Sequence, residues 1–169
     1  MDNLVKAFRK WREKRKAVFE NKELCRRYPF LIPWNRFTGD MVRPYDWSYT
    51  ELDMMPDGWR KRFGMNMCQE LRTALIGEDD LYRWRIVQMK EKYGELRVYD
   101  NGCLRGSQVP NILNKYTFIS RYTCIKCGAD ATKVTLGWIA PYCDKCCPKE
   151  KTMPVGEYYR EVNEIEQDD

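Results

Sequence analysis

The chain has 169 residues, 43% of them hydrophobic and 33% charged, enough for one core with a small satellite module and too little for two full domains. That balance describes a globular chain and excludes an intrinsically disordered one. The net charge is only +5 and there is no histidine, which excludes histidine-ligated hydrolytic centres and histidine bases.

The charge is unevenly placed. Residues 1–27 carry ten Lys/Arg against four Asp/Glu, whereas residues 157–169 carry six acids against Arg160. The opening MDNLVKAFRKWREKRK is charged at every second or third residue and does not resemble a secretory signal. No segment approaches the roughly 18 apolar residues of a membrane-spanning helix. The expectation is a protein of the bacterial host cytoplasm, without a membrane, whose cysteines are metal ligands or free thiols.

Asp2 or Asn3 can cap a first helix. Leu4, Phe8, Trp11, Val18 and Cys25 then recur near the helical period up to about Arg27, where the approach of Pro29 ends it. Lys6, Arg9, Lys10, Arg12, Lys14 and Lys16 lie on its other faces. They predict either a solvated face or a docking surface for phosphates or an acidic partner. Residues 28–59 follow no period. Four prolines interrupt them, and Tyr28, Phe30, Trp34, Phe37, Tyr45, Trp47 and Tyr49 fill them. Such a stretch is either an aromatic strap across the core or an exposed surface for a partner or unstacked bases, with Trp34 and Trp47 as candidate contacts.

Pro56 suits the first turn of a second helix, in which Trp59, Phe63, Met67, Leu71 and Leu75 follow at four-residue steps and Gly77 is the expected stop. WRIVQMKEKYGELRVYDNG reads as a β-hairpin with a Tyr93-Gly94 turn and an Asn101-Gly102 exit. Pro110 opens a third helix with Ile112, Leu113, Tyr116, Ile119 and Tyr122 along one side.

Cys124, Cys127, Cys143 and Cys146 form C-x2-C-x15-C-x2-C, the spacing of a tetrahedral zinc site in a ribbon. Gly128 permits the tight knuckle after the first pair, and short strand-like runs flank Gly137. Four thiolates close the coordination sphere, so the predicted single Zn²⁺ is structural rather than catalytic. Disulfides are the alternative. A deaminase-like arrangement of Cys68-Gln69-Glu70 with Pro141…Cys143-x-x-Cys146 is faintly present, but it leaves Cys124 and Cys127 without a role. Cys25 and Cys68 read as core thiols. Cys147 competes with Cys146 as a ligand, but Cys146 keeps the spacing.

MKEKYGELRVYDNG and RYTCIKCGADATKVTLGWIAPYCDKC resemble a family of small, uncharacterised zinc-ribbon proteins of gut bacteria and their phages. PWNRFTGD and YTELDMMPDGW are similar to the same group, so the likeness spans roughly residues 28 to 147. The resemblance implies the four cysteine ligands and a mobile-element setting, and nothing for the basic helix or the acidic tail.

The expected architecture is one compact α+β domain. A basic helix (1–27) leads into an α+β body with aromatic loop and hairpin (28–122), a four-cysteine zinc ribbon (123–148) and an acidic tail (149–169), mobile or partner-bound. The expected function is that of a non-enzymatic binding protein. In the first reading it docks on a host nucleic-acid-handling complex, most concretely as an anti-CRISPR-like inhibitor, through a protein partner. Direct DNA or RNA binding by the basic helix and aromatics is the alternative, and a deaminase-like enzyme is a third reading.

Overall fold

The computed structural model describes residues 2–35 and 38–165, and within these all side chains except those of residues 2–4, 8, 11 and 163–165. The expected cap at Asp2 or Asn3, the stripe side chains of Leu4, Phe8 and Trp11, and the strap residue Phe37 lie outside these described features.

The first helix, α1 (Asp2–Arg27), ends in Arg26 and Arg27, where cations complement the negative end of the helix dipole. Near its C-terminal end it meets the body: Asn21 donates to the Trp47 carbonyl at 2.8 Å, Leu24 packs against the core and Cys25 is buried. The strap that follows is irregular, with 3₁₀ turns at Pro29–Leu31 and Glu51–Met54. Its aromatics do tie it down. Tyr28 and Phe30 are buried, and Phe30 meets Trp84 edge-on at 5.4 Å. Tyr45 lies 4.6 Å from Trp47, and its hydroxyl donates to the carbonyl of Tyr49.

α2 (Asp57–Trp59), a π-helical turn (Arg60–Gly64) and α3 (Met65–Gly77) run on as one helix. Four-residue steps overshoot an α-helical turn by about 40° each. The additional residue in the π turn takes up much of that drift, so Trp59, Phe63, Met67, Leu71 and Leu75 all remain buried. The helix ends at Gly77 as expected, but Gly77 is not the left-handed residue. Asp79 is (φ 54°), and Asp80 N–H donates to the Leu75 carbonyl at 2.8 Å while Asp79 N–H donates to Ile76 at 3.2 Å. This is a Schellman closure built on aspartate.

β1 (Ile86–Lys92) and β2 (Glu95–Asp100) form the expected antiparallel hairpin, in register from Lys92↔Glu95 to Ile86↔Asp100 with an irregularity near Gln88. Tyr93 and Gly94 both have positive φ, 54° and 78°, as a two-residue turn of this hand requires. α4 (Val109–Arg121) packs across the hairpin and α3. Tyr116 lies 5.4 Å from Phe63, and the Ser120 hydroxyl accepts from Leu96 N–H at 2.8 Å.

The second sheet has the order β4-β3-β5, from β3 (Lys133–Thr135), β4 (Pro141–Tyr142) and β5 (Thr152–Pro154). Here the expectation of a mobile or partner-bound tail after residue 148 is corrected over residues 152–165. β5 adds the third strand, with Val134 opposite Met153, and α5 (Val155–Ile165) folds back on the body. Tyr159, 1% exposed, is the anchor: its hydroxyl donates to the Gly94 carbonyl at 2.9 Å. Its ring faces Tyr122, and the Arg121 guanidinium lies over it at 5.2 Å. Behind it the buried Glu95 carboxylate forms ion pairs with Arg121 at 2.7 Å and Arg97 at 2.8 Å. The acidic sequence of the tail conceals a buried tyrosine that docks it. Tyr159→Phe is expected to lower unfolding free energy by about 1 kcal/mol in a urea titration, through the unpaired Gly94 carbonyl.

Candidate metal centre

Each pair of cysteines sits on a tight turn. In the first, Cys124 N–H donates to Ala129 at 2.7 Å and Gly128 N–H to Cys124 at 3.0 Å, with Gly128 at φ 83°. In the second, the amides of Cys146 and Cys147 both donate to the Cys143 carbonyl, at 3.1 and 3.0 Å. Ile125 N–H bonds the Pro141 carbonyl at 2.9 Å and brings the two turns face to face. The Sγ atoms of Cys124, Cys127, Cys143 and Cys146 consequently all lie within 4.8 Å of one another, the single such cluster among the described residues.

Four thiolates around a tetrahedral ion with metal–sulfur bonds near 2.3 Å stand about 3.8 Å apart. The 3.6 Å separation of Cys127 Sγ and Cys143 Sγ is close to that value. The donor set and spacing therefore fit one metal ion, and an all-sulfur tetrahedron is the donor set of zinc or of iron–sulfur centres. Cys147 lies outside the cluster. Burial alone would push the Cys124 thiol up, but backbone amides of Cys143, Cys127 and Lys126 aimed at its sulfur bring it down to about 7. Hydrogen bonds with the sulfurs of Cys127 and Cys143 push Cys146 the other way, to about 12. A cation at the centre would displace these shared protons, because a coordinating thiol is deprotonated.

The first knuckle is clasped by the start of α2. Gly58 N–H donates to the Ile125 carbonyl at 2.9 Å, and Trp59 Nε1 donates to the Thr123 carbonyl at 2.8 Å inside the core. A Cβ at Gly58 would stand 2.2 Å from the Cys124 carbonyl oxygen, and one at Gly128 would stand 2.6 Å from the Gly58 oxygen. Two glycines thus allow backbone to meet backbone, and Arg62 reaches Asp130 at 3.2 Å beside them. Sequence reasoning places Trp59 on a helix face but misses this clasp. The signal is Gly58 itself, a glycine in the first turn of a helix with no turn to make.

The deaminase-like grouping does not assemble. Cys68 is fully buried, its thiol pushed up to about 12 by that burial, and its sulfur is not among the four. Glu70 instead bonds Lys115 at 2.7 and 2.8 Å and Tyr116 at 2.9 Å, and the Lys115 contact holds its carboxyl below the usual range. Cys25 is a core thiol, raised to about 11 mainly by burial.

The other candidate contacts lie apart from the metal centre. Lys6, Arg9, Lys10, Arg12, Lys14 and Lys16 are exposed along α1, with Lys16 3.6 Å from Glu20. Trp34 and Trp47 are partly buried in the strap: Arg85 covers the Trp34 ring at 5.3 Å, and Trp47 packs on the core. Neither tryptophan stands out as an exposed platform. No described helix is long and apolar enough to cross a membrane. No protein-family model matches this chain, and no curated protein or solved structure is significantly similar to it.

Proposed function

We propose that the chain is a non-enzymatic docking protein of mobile-element type, its body stapled by one structural zinc ion. Its basic helix α1 engages an acidic protein surface on a host nucleic-acid-handling complex in the bacterial cytoplasm, in the manner of an anti-CRISPR-like inhibitor. The observation that carries this reading is the exposure of α1. Every described side chain from Val5 to Ala17 is exposed, although the helix runs for 26 residues. A helix draws most of its stability from tertiary packing, so a run of exposed side chains over several turns invites a partner.

Val5 and Phe19 are 57% and 65% exposed among the cations. Apolar groups on a basic helix suit a protein groove, whereas a phosphate backbone asks only for charge. Direct binding of DNA or RNA is the second reading, favoured by the excess of ten cations over four acids in residues 1–27. The mobile-element setting rests on the family resemblance.

The test is capture of partners from a host lysate, with and without nuclease, by the natural chain and by an Arg9→Glu/Arg12→Glu/Lys16→Glu variant. Because all three side chains are exposed, the variant is expected to keep its stability within about 0.5 kcal/mol. A protein partner that survives nuclease and is lost in the variant supports docking. Partners that vanish with the nucleic acid point to the second reading, with affinity falling steeply in salt.

A further inference from the structure

Where the hairpin meets the ribbon, a second surface uses neither the metal centre nor α1. Glu91, Lys92 and Tyr93 from the hairpin turn, with Gly137, Trp138 and Ile139 from the β3–β4 turn, line a cleft of about 290 Å³. Its two aromatic side chains are unusually bare: Trp138 is 71% exposed and Tyr93 65%. Tyr93 also sits there at a backbone cost. Its φ of 54° is a conformation that asparagine, aspartate or glycine adopts readily in such a turn and a bulky ring does not. A strained residue whose ring is turned to water gains little from packing, and such outliers cluster at ligand sites.

The two turns are locked together. A Cβ on Gly94 would stand 2.7 Å from the Tyr159 hydroxyl and 3.3 Å from an Ile139 methyl carbon, so the hairpin tip is pressed against both. The Thr135 hydroxyl donates to the Trp138 carbonyl and accepts from Ala140 N–H, fixing the Trp138 backbone while its indole stays in solvent. Two carboxylates border the cleft. Glu91 accepts Gly94 N–H at 2.7 Å, and Glu150 lies beside Gly137, where a Cβ would be 3.1 Å from its Oε2. Lys92 Nζ stands 5.3 Å from the centre of the Tyr93 ring.

Two bare aromatic rings with two acids beside them suit a planar cation, because a guanidinium stacks on an indole face while donating to carboxylates. We propose that this cleft takes an arginine side chain from a protein partner, stacked on Trp138, with Tyr93 as the second wall and Glu91 and Glu150 as acceptors. A nucleobase also stacks on such rings, but it carries no cation for Glu91 and Glu150 to accept from. The site is independent of α1, whose own charge calls for an acidic surface.

The test follows the Trp138 indole N–H by NMR in the isotope-labelled, metal-loaded chain, assigned through Trp138→Ala. The probes are acetyl-Gly-Arg-Gly-amide, its uncharged citrulline counterpart and oligothymidylate. The arginine peptide is expected to shift the signal saturably and at least tenfold more tightly than citrulline, and Glu150→Gln is expected to weaken it several-fold. Tyr93→Asn relieves the left-handed strain, so it is expected to hold or raise Tm while weakening the arginine response. No response to arginine, an equal response to citrulline, or a response to the oligonucleotide alone overturns the proposal. The charge-reversed α1 variant is expected to keep the Trp138 response, so failure of this site and failure of the docking helix are read separately.

Discussion

Stripping the metal from the cysteine cluster is expected to unfold residues 123–154 as a unit. The ribbon strands are only two or three residues long, too short to hold a sheet without a staple. Structural zinc contributes on the order of 10–16 kcal/mol of apparent binding energy in small ribbon and finger peptides at neutral pH. Its loss outweighs the few ladder bonds that remain. Hydrogen exchange after chelation should show the amides of Ile125, Thr132 and Thr135, which bond Pro141, Tyr142 and Ala140 across the ribbon, losing protection together. The core of α3 and the hairpin strands should keep theirs, because Leu71, Leu75, Met89 and Leu96 belong to the main hydrophobic cluster. Cys143→Ser in the presence of zinc should reproduce the pattern. Unchanged ribbon protection in the metal-free chain would show that the four sulfurs do not hold the ribbon. Since the ligands must be thiolates, zinc should also leave as pH falls.

Gly58→Ala is the second substitution with a large expected effect, and its sign is opposite to the usual rule. Alanine in place of a helical glycine commonly stabilises by about 0.5–1 kcal/mol. At Gly58 the new methyl would lie 2.2 Å from the Cys124 oxygen and 2.7 Å from the Ile125 carbonyl carbon and oxygen. These are backbone atoms of the metal knuckle and cannot yield without opening the clasp. We expect a loss of about 3 kcal/mol or more, together with weaker metal retention, because the knuckle must move to make room. Gly77→Ala is the control: a Cβ there meets nothing within 4 Å, so the ordinary gain of about 0.5–1 kcal/mol should return. Urea titrations of both variants, with metal release followed in parallel, check the contrast. Equal effects at the two glycines would remove the clasp from the account.

The hairpin and the metal cluster are legible in sequence because each depends on chemistry confined to a few neighbouring residues. Tyr93-Gly94 between alternating strands defines its own turn, and the paired Cys-x-x-Cys spacing is itself the signature of one shared ion. The α4 helix is legible for a similar reason: Pro110 fixes its start and a single apolar side follows. The strap is harder. Its aromatics are plain, but whether Trp34 and Trp47 face a partner or the core depends on Arg85 and on the underlying cluster, which lie far away in the chain.

The tail escapes sequence reasoning because charge dominates residues 157–169, while docking depends on one buried tyrosine and on Gly94, 65 residues earlier. The clasp at Gly58 is hidden for the same reason, since its contact atoms belong to residues 124 and 125.

By itself, then, the sequence determined the α+β class, the hairpin turn, the basic leading helix and the four sulfurs that can hold a metal. Those features rest on local periodicity, turn chemistry and ligand spacing. Tertiary structure alone decided that the described side chains of α1 from Val5 to Ala17 are exposed, that residues 152–165 are the third ribbon strand and a docked helix, and that Tyr93 and Trp138 share one cleft. Each of these is a long-range contact or the lack of one. Burial energy, which scales with area removed from water, is a property of surfaces that the linear chain does not yet possess.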